Sequence, residues 1–326
     1  MPFNGCVIFF SFCLNAFWNS FLEASSRGVK GYFGNINLII EDFENTNKMK
    51  LGLDWLQILE ECKNNVKSRI KPLLEASLRQ PQPELGIGAG GDPIKQVDLA
   101  AEKAITETLL ERGLSFTLIS EESGIKQYGA NPKQHYVTAD PIDGTTNLTR
   151  GIPFYATSIA VSTKPELRTV HAALVADLFH DVTYTAVKGE GAKRNNQEIR
   201  PSEEVDLAKA VIGIDLNTYK AREITPHITS LIEQTKHIRH LGANALELCY
   251  VADGTIDAFI DIRGKLRTTD TAAAWLIVKE AGATITTPEG KPLNAKLDPA
   301  EKLTFVASAN RKIHKTILSL LKGKQP

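Results

Sequence analysis

The chain has 326 residues, 42% of them hydrophobic and 23% charged. That is enough for one large domain or two lobes with their own cores, and unlike the apolar-poor composition of a disordered chain. Thirty-eight basic side chains balance 38 acidic ones, so no basic surplus is available to neutralise a nucleic-acid backbone, and any anion must be met locally. The four cysteines, Cys6, Cys13, Cys62 and Cys249, contain no C-x-x-C pair; neither a zinc knuckle nor a disulfide framework is legible, and a reducing cytoplasm is the expected setting.

Residues 1–48 hold 10 of the 23 aromatic side chains. Their apolar run from Cys6 to Trp18 is shorter than the roughly 20 residues of a membrane span, and no Lys or Arg precedes it as in a signal peptide. Met49, the only methionine besides Met1, directly precedes the first periodic segment, so residues 1–48 are read as an extension from an upstream start, outside the native chain. Next, Asp54 can cap a helix in which Trp55, Leu59, Cys62, Val66, Ile70, Leu73 and Leu74 recur at helical spacing, ending near Gln80. Gly86 to Gly91 formally fits G-x-G-x-x-G, but a Pro-containing polar segment precedes it and Asp92-Pro93 follows, so a mobile loop is expected instead of a dinucleotide site. Asp98 opens a helix to Leu110, and strands follow at Phe116–Ser120 and His135–Ala139.

Apolar, β-rich runs at 155–162, 170–178 and 182–187, joined by short turns such as Gly189-Glu190-Gly191, predict an antiparallel sheet. Past Val211 strands and helices alternate: a strand to Asp215, helices at 224–234 and 243–253, a strand at 258–261, a helix from Asp270 to Ala281 closed by Gly282, a strand at 304–307 and a last helix from Arg311. Two unlike lobes are expected, residues 49–200 with the antiparallel sheet and 201–326 with the alternating elements, packed along one cleft.

The most informative segment is Asp140-Pro-Ile-Asp143-Gly144-Thr145-Thr146-Asn147. Two carboxylates at a strand exit stand beside an unobstructed Gly-Thr-Thr turn that can open a helix, where free N–H groups favour a phosphate. Acids would repel that phosphate unless hard divalent cations lay between them, and Mg²⁺ takes such oxygen ligands. Glu121 and Glu122 at a strand end, with Asp98 and Asp270 at helix starts, extend the set. Taken singly, Asp98 and Asp270 read as ordinary N-caps.

Glu121-Glu122-Ser123, Asp140 to Asn147 and Asp270-x-Ala-Ala resemble the motifs of the inositol monophosphatase superfamily of Mg²⁺-dependent, lithium-sensitive phosphatases. Gly91 to Lys95, Thr149 to Pro153, Leu246-Glu247-Leu248 and Asp257-Ala258-Phe259 are most similar to its archaeal members acting on both inositol monophosphate and fructose 1,6-bisphosphate. The resemblance covers about residues 49–311. It implies a mixed α/β five-layer αβαβα sandwich, a homodimer, and two or three Mg²⁺ ions, with Mn²⁺ as a substitute. It makes Glu121, Asp140, Asp143, Asp270 and the Ile142 carbonyl metal ligands, and Thr145 with Asp98 or Glu121 the holders of a metal-activated water that attacks phosphorus directly. Gly144, Thr145 and Thr146 would bind the phosphate, and Gly242-Ala243-Asn244 the sugar.

Where eukaryotic members carry a Glu that contacts inositol, this chain has Arg263. Arg239, Arg263 and Arg267 are therefore expected to meet a second phosphate through guanidinium forks. Thr269 and Ala274 stand where the family commonly has Trp and Gly, which bears on packing around the Asp270 helix. The expected function is hydrolysis of fructose 1,6-bisphosphate or inositol 1-phosphate in carbohydrate metabolism, without nucleic-acid or membrane partners. A bisphosphate nucleotidase and a non-catalytic adaptor on the same scaffold are the alternatives.

Overall fold

A computed structural model describes residues 53–77, 84–91, 93–217 and 221–322. The extension at 1–48, the start at Met49 and the helix end near Gln80 lie outside the described residues.

The helical period of the first apolar segment produces α1 (Trp55–Ser77), which buries Trp55, Leu59, Cys62, Val66 and Ile70 along one stripe. It packs with α2 (Gln96–Glu111) on one face of an eight-stranded sheet. That sheet comprises β3 (Phe116–Ser120), β4 (Gly124–Tyr128), β5 (Tyr136–Asp143), β6 (Ala156–Ser162), β7 (Val170–Asp177), β8 (Val182–Val187), β9 (Ala192–Arg194) and β10 (Gln197–Glu198), in the order β10-β9-β8-β7-β6-β5-β3-β4. From β5 to β10 every pairing is antiparallel, as the short connections from β6 onward favour, whereas β3 and β5 are parallel. The second sheet follows in the chain: β11 (Val211–Ile214), β12 (His237–Arg239), β13 (Ala258–Arg267), β14 (Thr284–Thr286) and β15 (Lys302–Ser308), in the order β12-β11-β13-β15-β14.

Between the two sheets lie α5 (Asn244–Ala252) and α6 (Thr268–Ala281), once the six-residue α3 (Thr145–Arg150) and the outer α4 (Ala221–Gln234) are counted. Neighbouring residues on one strand serve different layers: Phe259 of β13 joins the central core, while Ile260 joins the outer core with Ile228 of α4 and Ile317 of α7 (Arg311–Leu321). The result is five layers, two helices on a sheet, two helices, a sheet and two helices, as the family resemblance implies. Ala272, Ala273 and Ala274 are fully or almost fully buried in the central layer, so the extra methyl at Ala274 is accommodated.

Three expectations need correction. The stretch Gly86–Gly91 is not a free loop: β1 (Glu84–Ile87) and β2 (Pro93–Lys95) form an antiparallel hairpin, and the Ala89 and Gly90 amides donate to the carbonyls of Glu122 and Glu121 at 3.0 and 2.8 Å. Asp98 and Asp270 are not N-caps. Their helices begin two residues earlier, and each acid sits in the first turn accepting the N–H of the true cap, Lys95 at 2.8 Å and Arg267 at 3.1 Å. Asn244 begins α5, with Ala243 at its N-cap. Besides β1 and β2, the strands not expected are β4, β9, β10, β12 and β14, mostly sheet edges, short and polar because one side needs no apolar cover.

Candidate active site

In a regular strand, residues three apart face opposite sides, so Asp140 and Asp143 would diverge. The β5–β6 register prevents this: Asp140 pairs with Ser158 and Asp143 with Ala156, three steps on one strand against two on the other. The resulting bulge at Pro141-Ile142 turns both acids to one side, and proline, lacking an N–H to pair, suits it. Beyond the bulge, Gly144 adopts φ +85°, and a Cβ there would lie 3.1 Å from both the Ala243 Cβ and the Phe154 carbonyl oxygen. Glycine is thus required for the chain to turn into α3 against the Gly242 turn.

Glu121 is placed by a second route. At the end of β3, Ser120 hydrogen-bonds the buried Glu102 of α2, which also accepts the Ser123 N–H at 3.2 Å. This anchors the turn that presents Glu121. One oxygen each from Glu121, Asp140 and Asp270 lies within 4.8 Å of the others. Asp140 is 3% exposed and its Oδ1 has no hydrogen-bond partner. Burial, reinforced by Glu121, Asp143 and Asp270, drives its pKa well above the usual carboxylate range. An orphaned buried carboxylate oxygen among acids is what a hard cation satisfies, so the donor set fits a divalent metal.

Asp143 sits beside this trio and has a second task. Its Oδ1 accepts the Asn244 N–H at 3.0 Å and its Oδ2 the Ala245 N–H at 2.7 Å, so it caps α5 across the cleft. Burial and the nearby Asp270 push its pKa up to about 7 against those hydrogen bonds. On the opposite side, the Thr145 hydroxyl lies 2.9 Å from the Ile142 carbonyl and 3.2 Å from Asp98 Oδ1. Asp98, 1% exposed, is raised to about 6 by desolvation.

These groups line a cleft of about 1050 Å³ with Gly144, Thr145, Thr146, Gly242 and Asn244. Asn147 ties its two walls together, its Nδ2 donating to the carbonyls of Phe154 and Leu241 at 2.8 Å each. Ala243 is fully buried behind the turn as the cap of α5, where no substrate reaches it.

The arginines do not meet the second-phosphate expectation. The Arg263 side chain is 6% exposed and held by two buried acids, with Nη2 at 2.5 Å from both Asp215 and Asp261. Its Nε also donates to Asp261 Oδ1 at 3.0 Å, and it does not line the cleft. Arg239 is exposed and also outside the cleft, its Nη1 donating to the Ile238 carbonyl at 2.9 Å. Arg267 does line it, but pairs with Glu121 at 2.5 Å and donates to the Gly90 carbonyl at 3.0 Å, sitting on the acid cluster and not at a remote subsite.

The basic side chains that line the cleft besides Arg267 are instead Lys95 and Lys265, with the His240 imidazole next in the lining, all three missed as site residues. Alternation along β13 should put Arg263 and Lys265 on one side, but Gly264 at φ +64° and a register shift between Asp261 and Leu266 break it. Lys95 stands at the end of the Gly91–Lys95 motif, a signal available in the sequence.

The profile of the Inositol monophosphatase family matches residues 55–325. The chain belongs to the inositol monophosphatase family. A fructose-1,6-bisphosphatase/inositol-1-monophosphatase of Methanothermobacter thermautotrophicus is 36% identical over 244 residues, 72% of this chain and 85% of that protein. A bifunctional NADP phosphatase/NAD kinase of Methanococcus maripaludis is 31% identical over 82% of this chain, which spans 49% of that longer protein. A crystal structure of an inositol monophosphatase–fructose 1,6-bisphosphatase is similar with a TM-score of 0.72 at 28% identity, covering 82% of this chain and 100% of the other. Among the described residues no helix is long and apolar enough to cross a membrane.

Proposed function

We propose that this inositol monophosphatase family protein is a Mg²⁺-dependent phosphatase of sugar phosphates, acting on fructose 1,6-bisphosphate and inositol 1-phosphate. The observation that carries the reading is the convergence of Glu121, Asp140 and Asp270, with the orphaned Asp140 oxygen, on the Gly144–Thr146 turn. Mg²⁺ held by these acids, with Asp143 and the Ile142 carbonyl beside them, would supply charge neutralisation at the phosphate and acidify a nucleophilic water. The first-turn amides of α3 lack intrahelical partners and would grip phosphate oxygens. Thr145 donates its hydroxyl proton to Asp98 Oδ1 or the Ile142 carbonyl, so its oxygen lone pairs can orient a water and accept that water's hydrogen bond.

The sugar ring would rest on the Gly242–Asn244 turn, where Asn244 Oδ1 is buried without a partner and can accept a hydroxyl. A remote phosphate would lie at Lys265 and His240. A cytoplasmic homodimer working in sugar metabolism fits the free, buried Cys62 and Cys249 and the family.

One observation favours a second reading. Ile152 and Leu216 are 47% and 42% exposed on the cleft lining, an apolar rim that a base could cover, and a phosphorylated nucleotide would then be the substrate; the Methanococcus relative is by its name an NADP phosphatase. Phosphate release from fructose 1,6-bisphosphate, inositol 1-phosphate, NADP and a 3′,5′-bisphosphonucleotide, each with Mg²⁺ or EDTA, decides the matter. Metal-dependent release from the two sugar esters is expected, and release unaffected by EDTA would overturn the proposal.

A further inference from the structure

Asp270 is held by three groups. Its Oδ2 accepts the Arg267 N–H at 3.1 Å, and Arg267 Nε stands 3.4 Å from Oδ1. The third is the hydroxyl of the preceding residue: Thr269 Oγ1 donates to Asp270 Oδ1 at 2.9 Å.

Thr269 occupies the position where the family commonly carries tryptophan, and it is 1% exposed. Its neighbours in the same turn use their hydroxyls differently. Thr268 donates to the Asp298 carbonyl at 3.0 Å and Thr271 to the Arg267 carbonyl at 3.0 Å, so both serve the backbone. A buried hydroxyl is costly unless partnered, and threonine is no better a helix former than valine of the same shape. The hydroxyl therefore acts on Asp270 and not on the helix.

A hydroxyl donating to an ionised carboxylate forms a charge-assisted bond that removes rotational freedom from the acceptor. Fixing one oxygen fixes the plane of the carboxylate, and with it the direction in which Asp270 faces Glu121 and Asp140. Outer partners of this kind typically change the affinity of a metal site about 10- to 100-fold. We infer that Thr269 is a positioning residue that sets the divalent-cation affinity of this site by orienting Asp270. The inference rests on the reading of the acid cluster as a metal site.

The test is calorimetric titration of Mn²⁺ into the substrate-free protein and its Thr269→Val and Thr269→Ser variants, with melting temperatures recorded in EDTA. Valine keeps the shape and removes the hydroxyl, and should weaken Mn²⁺ binding about 10- to 100-fold. Serine restores the donor and should stay within about threefold of the parent. Equal affinity of the parent and Thr269→Val would overturn the role of Thr269 while leaving the metal site standing. Equal weakening in both variants would also overturn it, since it would place the effect in packing. A parent that binds no Mn²⁺ would overturn the metal site itself, and the positioning role with it.

Discussion

Two cations on one strand, Arg263 and Lys265, have opposite fates. Arg263 neutralises Asp215 and Asp261 inside the protein, whereas Lys265 lines the cleft. Removing one partner of a buried pair leaves uncompensated charge, so Arg263→Ala should cost about 3–5 kcal/mol of stability and depress turnover of every substrate alike. Lys265→Ala should spare stability. It should lower kcat/KM for fructose 1,6-bisphosphate about tenfold and that for inositol 1-phosphate less than about threefold, because only the bisphosphate loses a charge-assisted contact. Paired kinetics on one preparation check this, and equal losses for both substrates would remove Lys265 from the subsite. Asp143 carries two tasks at once. Asp143→Asn should lower kcat/KM by about a hundredfold, roughly 2.7 kcal/mol. It should also destabilise the fold by about 1–2 kcal/mol, since an amide cannot accept from both the Asn244 and Ala245 N–H groups. A denaturant curve unchanged from the parent would deny the capping role.

At the scale of elements, the site is built where elements end. The β5 bulge delivers two acids, the first turns of α2 and α6 one each, and the start of α5 the partner of Asp143. Asn147 of α3 joins the walls of the cleft by two donations from one nitrogen. Asn147→Asp, which keeps the shape but turns that donor into an acceptor facing two carbonyls, should cost about 2–4 kcal/mol and loosen the Gly242 turn, raising KM for sugar esters. Urea unfolding with KM measured in parallel tests both parts, and a variant as stable as the parent would show that the tie contributes little. The first-turn position of Asp98 and Asp270 was not legible because a capping acid and an acid three residues into a helix leave the same mark in one sequence. The order of the Gly86–Gly91 stretch was hidden for a related reason: the Ala89 and Gly90 amides at the tip of its hairpin donate to Glu122 and Glu121, some thirty residues away.

The whole molecule tolerates a concentration of buried acids, and this governs its response to pH. Desolvation raises Asp143 to about 7 and Glu247 to about 8. The folded state therefore binds protons that the unfolded chain has released, and stability from these groups is lost as pH rises through the raised values. His135, His171 and His314 are lowered by burial and act in the opposite sense below about pH 6.5, the ordinary histidine value. Between pH 6.5 and 8 the histidine contribution fades and the carboxylates come to dominate. The melting temperature in EDTA should fall by about 3 °C or more across that window, and Mg²⁺ should restore more of it at pH 8 than at pH 6.5. A flat or rising melting curve would contradict the assignment. Much of this molecule was settled locally. The α1 stripe, the antiparallel run from β6 to β8, and the acids at Glu121, Asp140, Asp143 and Asp270 follow from periodicity, turn chemistry and motif, since each depends on neighbours a few residues away. What needed the tertiary structure was every property set by a partner distant in the chain. Burial between Asp215 and Asp261 makes Arg263 structural, the kink at Gly264 sends Lys265 to the cleft, and α5 claims Asp143 as its cap across a hundred residues. Charge and spacing are written along the sequence, whereas the dielectric and the partners that decide what a charge does exist only once the layers have packed.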